Sequence, residues 1–118
     1  ALADATKGLG MFRQPQINVP VLGIVENMAW FTPEELPDHK YFIFRKDGGK
    51  NLAEKYGVPL VGQVPLVQGI RESAHAGMPA VLKGGPAGEA LEQVAVAAAR
   101  QIAIRNANFV PSQKVEIE

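Results

Sequence analysis

An amide stands where a short apolar run gives out. The run is Val19-Pro20-Val21-Leu22-Gly23-Ile24-Val25-Glu26-Asn27-Met28. An Asn side chain donates and accepts hydrogen bonds together, which suits recognition of a purine edge. In open parallel sheets, ligands bind just beyond the carboxyl ends of the strands. Asn also caps loops through its own backbone, so Asn27 carries two readings at this point. A second run, Val58-Pro59-Leu60-Val61-Gly62-Gln63-Val64-Pro65-Leu66, echoes the first. Each begins Val-Pro and has a glycine three residues after that proline. Pro65 is either a flat apolar wall for a ring or a strand stop.

Other patterns are weaker. Gly48-Gly49-Lys50-Asn51 resembles the end of a phosphate-binding loop, but that motif needs glycine five residues before the final Gly-Lys and Ser or Thr after it. Phe44 and Asn51 hold those places, so a helix start is the better reading. His39 and His75 lack ligand spacing. Glu34 and Glu35 are adjacent in a polar loop rather than poised as a pair. No catalytic group and no metal ligand is assigned within the chain. Neither strand is followed by Gly-x-Gly-x-x-Gly, which ranks a nicotinamide-binding half last.

The elements that must position Asn27 follow from the pattern. Apolar, β-branched runs bounded by turn signals read as strands buried on both faces, here 19–27 and 58–65. Pro at a strand entry fits, because the first residue need not donate to the ladder. A helix over 48–56 lies between them, with Asp47 as N-cap and Gly57 as the stop. The unit is therefore strand, helix, parallel strand, an α/β arrangement. Residues 1–13 read as a helix weakened by Gly8 and Gly10, with Asp4 able to cap a start at Ala5. Residues 29–46 form an irregular loop with one helical turn at Pro33, and Tyr41-Phe42-Ile43-Phe44 is strand-like or an aromatic anchor. A short helix spans 68–76. A long one spans 86–105, with Pro86 at its first position and a stripe of Leu91, Val94, Ala98 and Ile102. The tail, 106–118, is polar and expected to be extended or disordered. The N-terminus reads as a cut through a larger domain.

Composition bounds the possibilities. The chain has 118 residues, 12 basic and 12 acidic, and no cysteine. Balanced charge gives no electrostatic case for nucleic acid or an anionic membrane. No run approaches the ~20 apolar residues of a membrane span. The lack of cysteine fits a reducing compartment and excludes disulfides and thiolate metal sites within the chain.

In ordered combination, Gly23-Ile24-Val25-Glu26-Asn27-Met28, Trp30-Phe31, Phe44, Gly48-Gly49, Leu52-Ala53, Gly57-Val58-Pro59, Gly62, Val64-Pro65-Leu66, Ile70-Arg71-Glu72 and Gly77 resemble the Mrp/ApbC family. Its members are ATP-binding iron–sulfur cluster carriers of the deviant Walker class, related to MinD and the nitrogenase iron protein. The resemblance implies that residues 1–118 are the C-terminal part of one cytoplasmic P-loop NTPase domain. The phosphate-binding loop and magnesium-linked aspartates would lie upstream of Ala1. It further implies that Asn27 reads adenine, that Val64, Pro65 and Leu66 pack against the base, and that the 29–46 loop lies at a homodimer face. Many members hold a 4Fe-4S cluster through Cys-Pro-x-Cys after the Asn-Met motif. Thr32-Pro33-Glu34-Glu35 stands there in this chain, which speaks against cluster ligation by this segment. Members often carry Asp where Val67 stands. The first functional expectation is an ATPase serving iron–sulfur cluster assembly or transfer to an apoprotein partner, with Mg2+ bound elsewhere. The alternative is a non-catalytic, nucleotide-switched MinD-like dimer that binds a protein partner.

Overall fold

A computed structural model describes residues 2–44 and 46–108. In chain order it contains α1 (Leu2–Phe12), β1 (Ile24–Phe31), α2 (Gly48–Tyr56), β2 (Leu60–Leu66), α3 (Gln68–Ala76), a 3-10 turn (Ala80–Lys83) and α4 (Gly85–Asn108). β1 and β2 pair in parallel, with Ile24 opposite Leu60, Val25 opposite Gly62, Glu26 opposite Gln63, Asn27 opposite Val64 and Phe31 opposite Leu66. The chain is α/β, and the sheet carries helices against it because two strands alone cannot hide their apolar faces.

The first strand is displaced from its expected range. Val19 to Gly23 stay outside the ladder, and pairing begins only where β2 offers a partner, with the Ile24 N–H donating to the Pro59 carbonyl at 2.9 Å. At its other end β1 runs on past Asn27 through an irregularity that falls opposite Pro65. Proline has no N–H for the ladder, so a bulge is where a strand tolerates it. Met28 takes a left-handed φ of 53° there. Ala29, Trp30 and Phe31, expected in the loop, thus belong to the strand. Phe31 also exchanges backbone hydrogen bonds with Tyr41, at 2.7 and 2.9 Å. β2 likewise begins later than expected, at Leu60, and continues through Pro65 to Leu66.

The helices are set by their ends. Gly57 is left-handed at φ 66°, and the N–H groups of Gly57 and Val58 close α2 onto the carbonyls of Glu54 and Ala53, a glycine stop. Asp47 does not cap α2. It is itself left-handed at φ 57° and makes no side-chain cap bond. α1 starts at Leu2, so Asp4 sits inside its first turn, where a negative charge suits the helix dipole. Leu2 approaches Gly48, and the Arg13 guanidinium donates to the Tyr56 carbonyl at 3.1 Å. These contacts hold α1 along α2.

α4 lies against β2 at a close approach: a Cβ on Gly62 would stand 2.5 Å from Val94 Cγ2. Ile102, expected in the core stripe, is 47% exposed. A helix of 24 residues is about 36 Å long, whereas a strand of seven spans only about 23 Å. The end of α4 therefore outruns the sheet. Asn106 to Asn108, expected in the tail, continue the helix; the rest of that tail, 109–118, lies outside the described residues.

Candidate functional site

The carboxyl ends of the two strands lie side by side, so Asn27 and Val64 are direct register partners. Asn27 is exposed. Its Oδ1 accepts the Met28 N–H at 2.9 Å, a local contact made possible by the bulge. Among the described residues, its amide nitrogen donates to no protein group. Local capping therefore uses the amide oxygen alone. Val64 is buried, Pro65 is fully buried and Leu66 is half-buried. Of the four residues singled out from sequence, Asn27 alone presents its side chain freely to solvent. The Pro65 ring faces the chain's own interior.

Beside Asn27, Glu26 ties the strand to the start of α2. Its Oε1 accepts the Gly49 N–H at 2.9 Å, and its Oε2 accepts from Gln63 Nε2 at 2.6 Å. Gln63 Nε2 also lies 3.3 Å from Asp47 Oδ1. The helix start that Asp47 was expected to cap is thus capped from the neighbouring strand. A carboxylate there satisfies an orphan N–H and meets the positive end of the helix dipole.

Beyond the strand ends is a cavity of about 240 Å³, lined by the loop Thr32–Pro37, the start of α3 and the turn before α4. Val67, Ile70, Pro86 and Ala87 make much of its apolar wall. The Thr32 N–H donates to the Leu66 carbonyl at 3.2 Å, which holds the loop at the end of β2. Ser73 also lines the cavity; it is 2% exposed, and its Oγ has no hydrogen-bond partner. None of Asn27, Val64, Pro65 and Leu66 is in the lining. Sequence reasoning stopped at Leu66, one residue short. The available signal was the spacing of Ile70 and Ser73 on one face of α3, which does not single out the serine.

The stretch Thr32 to Glu35 has no thiol, and among the described residues no cluster of three His, Cys, Asp or Glu side chains is placed to hold a metal. His39 stacks on Tyr41 with ring centroids 6.3 Å apart. Lys40 and Lys46 lie over the rings of Trp30 and Phe42, and those two rings meet edge to face at 6.3 Å. The aromatics thus partly fold the loop back on itself. Tyr41, Phe42, Ile43 and Phe44 nevertheless each stay more than 40% exposed. No helix among the described residues is long and apolar enough to cross a membrane.

The chain matches, over residues 1–103, the family model described as ParA, NUBPL iron-transfer P-loop NTPase. It is 44% identical over 103 residues to the iron-sulfur cluster carrier protein of Synechocystis sp., covering 87% of this chain and 28% of that protein. Against the iron-sulfur cluster carrier protein of Deinococcus radiodurans it is 42% identical over 117 residues, 96% of this chain and 31% of that protein. Against the iron-sulfur cluster transfer protein NUBPL of Mus musculus it is 46% identical over 81 residues, 69% and 24%. The chain spans about a quarter to a third of the length of the curated relatives it matches. With a family match over most of its residues and relatives above 40% identity, the chain belongs to the NUBPL-type iron-transfer P-loop NTPases, the Mrp/ApbC family.

Proposed function

We propose that this chain is the adenine-side portion of a cytoplasmic ATP-binding protein whose ATP hydrolysis is linked to iron–sulfur cluster assembly or transfer. One observation carries the reading. In a P-loop NTPase, an exposed Asn at the carboxyl end of a parallel strand keeps its amide donors free, at the position where such sheets receive ligands. Within the 118 residues there is no glycine-rich loop with its lysine. The phosphates and Mg2+ would therefore be held by residues outside them, and hydrolysis would depend on positioning and electrostatics supplied there. The chain has no cysteine, and Thr32 to Glu35 offer hard oxygen donors that suit other metals than an iron–sulfur cluster.

The test is Asn27→Ala in a protein of the relatives' full length that carries this segment. Loss of the amide leaves the adenine edge unpaired, so ATP affinity should fall about ten- to a hundredfold. GTP should be affected much less, because the pairing depends on the base. Equal weakening of both nucleotides, or none, would return Asn27 to a loop-capping role. The exposed segment Tyr41-Phe42-Ile43-Phe44 supports a homodimer contact, since exposed aromatic patches mark interfaces. Ile43, 62% exposed, is the place to probe. Ile43→Ser should weaken self-association in sedimentation experiments without lowering thermal stability, and an unchanged dimer would remove this surface from the interface.

A further inference from the structure

We infer that the Met28 side chain packs against a face of the base whose edge Asn27 reads. The inference rests on the nucleotide reading above and adds a contact residue to it. Among the described residues, three other than glycine take a left-handed φ: Asn18 at 44°, Met28 at 53° and Asp47 at 57°. Asn and Asp visit that region readily, because their short polar side chains bond locally. A long apolar side chain gains nothing there, and glycine adopts the same φ at no steric cost. The Met28 N–H donates to Asn27 Oδ1 at 2.9 Å, a bond that uses backbone alone at position 28 and would survive in glycine. The local fold therefore asks for no side chain at this position. A long apolar one stands there all the same, 46% exposed. Backbone held in a sparsely populated region clusters at ligand sites.

Asn27 supplies what the edge of a base needs and nothing for its faces. A base held by its edge alone would keep both apolar faces in water, whereas small-molecule sites are mostly apolar around a few placed polar groups. Across the sheet, Val64 and Pro65 are buried and Leu66 is half-buried, so their side chains are committed to the interior. Met28 is the neighbour with apolar surface to offer. It is unbranched and can adapt its shape, and its thioether is soft and polarizable, which favours contact with aromatic rings. The bond between the two residues divides the work. With Oδ1 engaged by the Met28 N–H, the amide nitrogen of Asn27 is left to face the ligand, and the residue that engages it carries the apolar chain. Edge and face contacts thus come from consecutive residues at the strand end, where such sheets receive ligands.

The experiment uses a protein of the relatives' full length that carries this segment, as wild type, Met28→Gly, Met28→Leu and Asn27→Ala. Binding of ATP, GTP and inorganic tripolyphosphate is measured for each. Met28→Gly should weaken ATP and GTP alike, about fivefold, because both purines offer the same kind of face. It should leave tripolyphosphate unchanged, and the melting temperature of the nucleotide-free protein should not fall, since glycine suits the backbone. Met28→Leu should keep most of the affinity, being apolar and unbranched at Cβ. Leucine as weak as glycine would overturn an apolar contact. If Met28→Gly instead narrows the gap between ATP and GTP, position 28 acts by aiming Asn27, and the contact is overturned. If it lowers the melting temperature and leaves nucleotide affinity intact, Met28 packs against another part of the protein, and the contact is likewise overturned. If Asn27→Ala separates ATP from GTP while Met28→Gly changes neither, this inference alone fails. If the wild-type protein binds no ATP, the nucleotide reading fails and this one falls with it.

Discussion

Two helices adjoin β2 in the chain, α2 before it and α3 after it, and the polar groups beside them are finished differently. At the start of α2, Glu26 accepts from Gly49 and Gln63, and Gln63 reaches Asp47. On the inner face of α3, Ser73 meets nothing. A satisfied network holds elements in place, because each group removed from water has regained a partner. An orphan hydroxyl has lost its water without compensation. Folding alone would favour an apolar side chain at position 73. The difference is instructive: the saturated cluster is scaffold, whereas the unpartnered hydroxyl is left in the wall of a cavity.

That contrast can be broken from either side. The largest effect should come from the scaffold at Gly49, where a Cβ would stand 2.7 Å from Glu26 Cβ. Gly49→Val should destabilise the protein by about 2–3 kcal/mol, read as a lower urea midpoint; an unchanged midpoint would show that the contact between β1 and α2 is loose. Next comes Glu26→Ala, which strands the Gly49 N–H and the Gln63 amide. A loss of about 1–3 kcal/mol is expected. Glu26→Gln should recover part of it, because the amide oxygen still accepts the Gly49 N–H. No recovery would assign Glu26 a charge role rather than a hydrogen-bonding one. The smallest effect has the opposite sign. Ser73→Ala should stabilise the nucleotide-free protein by about 1 kcal/mol, and a loss of stability on chemical unfolding would place that serine with the scaffold.

Much of the fold was legible because it is written in local terms. Gly57 after an amphipathic stretch marks the end of α2 through its tolerance of positive φ. The two Val-Pro runs announce a parallel pair through their unbroken apolar character. What was illegible depends on neighbours distant in the chain. The range of β1 is decided by where Leu60 begins to offer partners and by the missing N–H of Pro65, both on the other strand. Asp47 satisfies every local rule for an N-cap, but Glu26, from the other end of the crossover, takes the N–H first. Ile102 falls on the apolar stripe of α4 but past the end of the sheet it would cover. The candidate site divides the same way. Asn27 is visible from its place at a strand end, whereas Ser73 owes its interest to what surrounds it, and no spacing rule reports that.

The parallel pairing of β1 with β2 has a consequence for biosynthesis. The ladder partners of β1 all lie beyond the crossover, from Leu60 to Leu66. A ribosome adding about 5–20 residues per second needs roughly two to seven seconds to go from Phe31 to Leu66, and the exit tunnel adds to the delay. Throughout that interval the nascent chain carries Ile24 to Phe31 without its β2 partner, followed closely by the aromatic segment Tyr41 to Phe44. Non-local pairing of this kind is slow and leaves apolar segments open to misassociation. The emerging chain should therefore depend most on chaperone protection before β2 is complete, and slowing translation between residues 32 and 59 should lower the soluble yield.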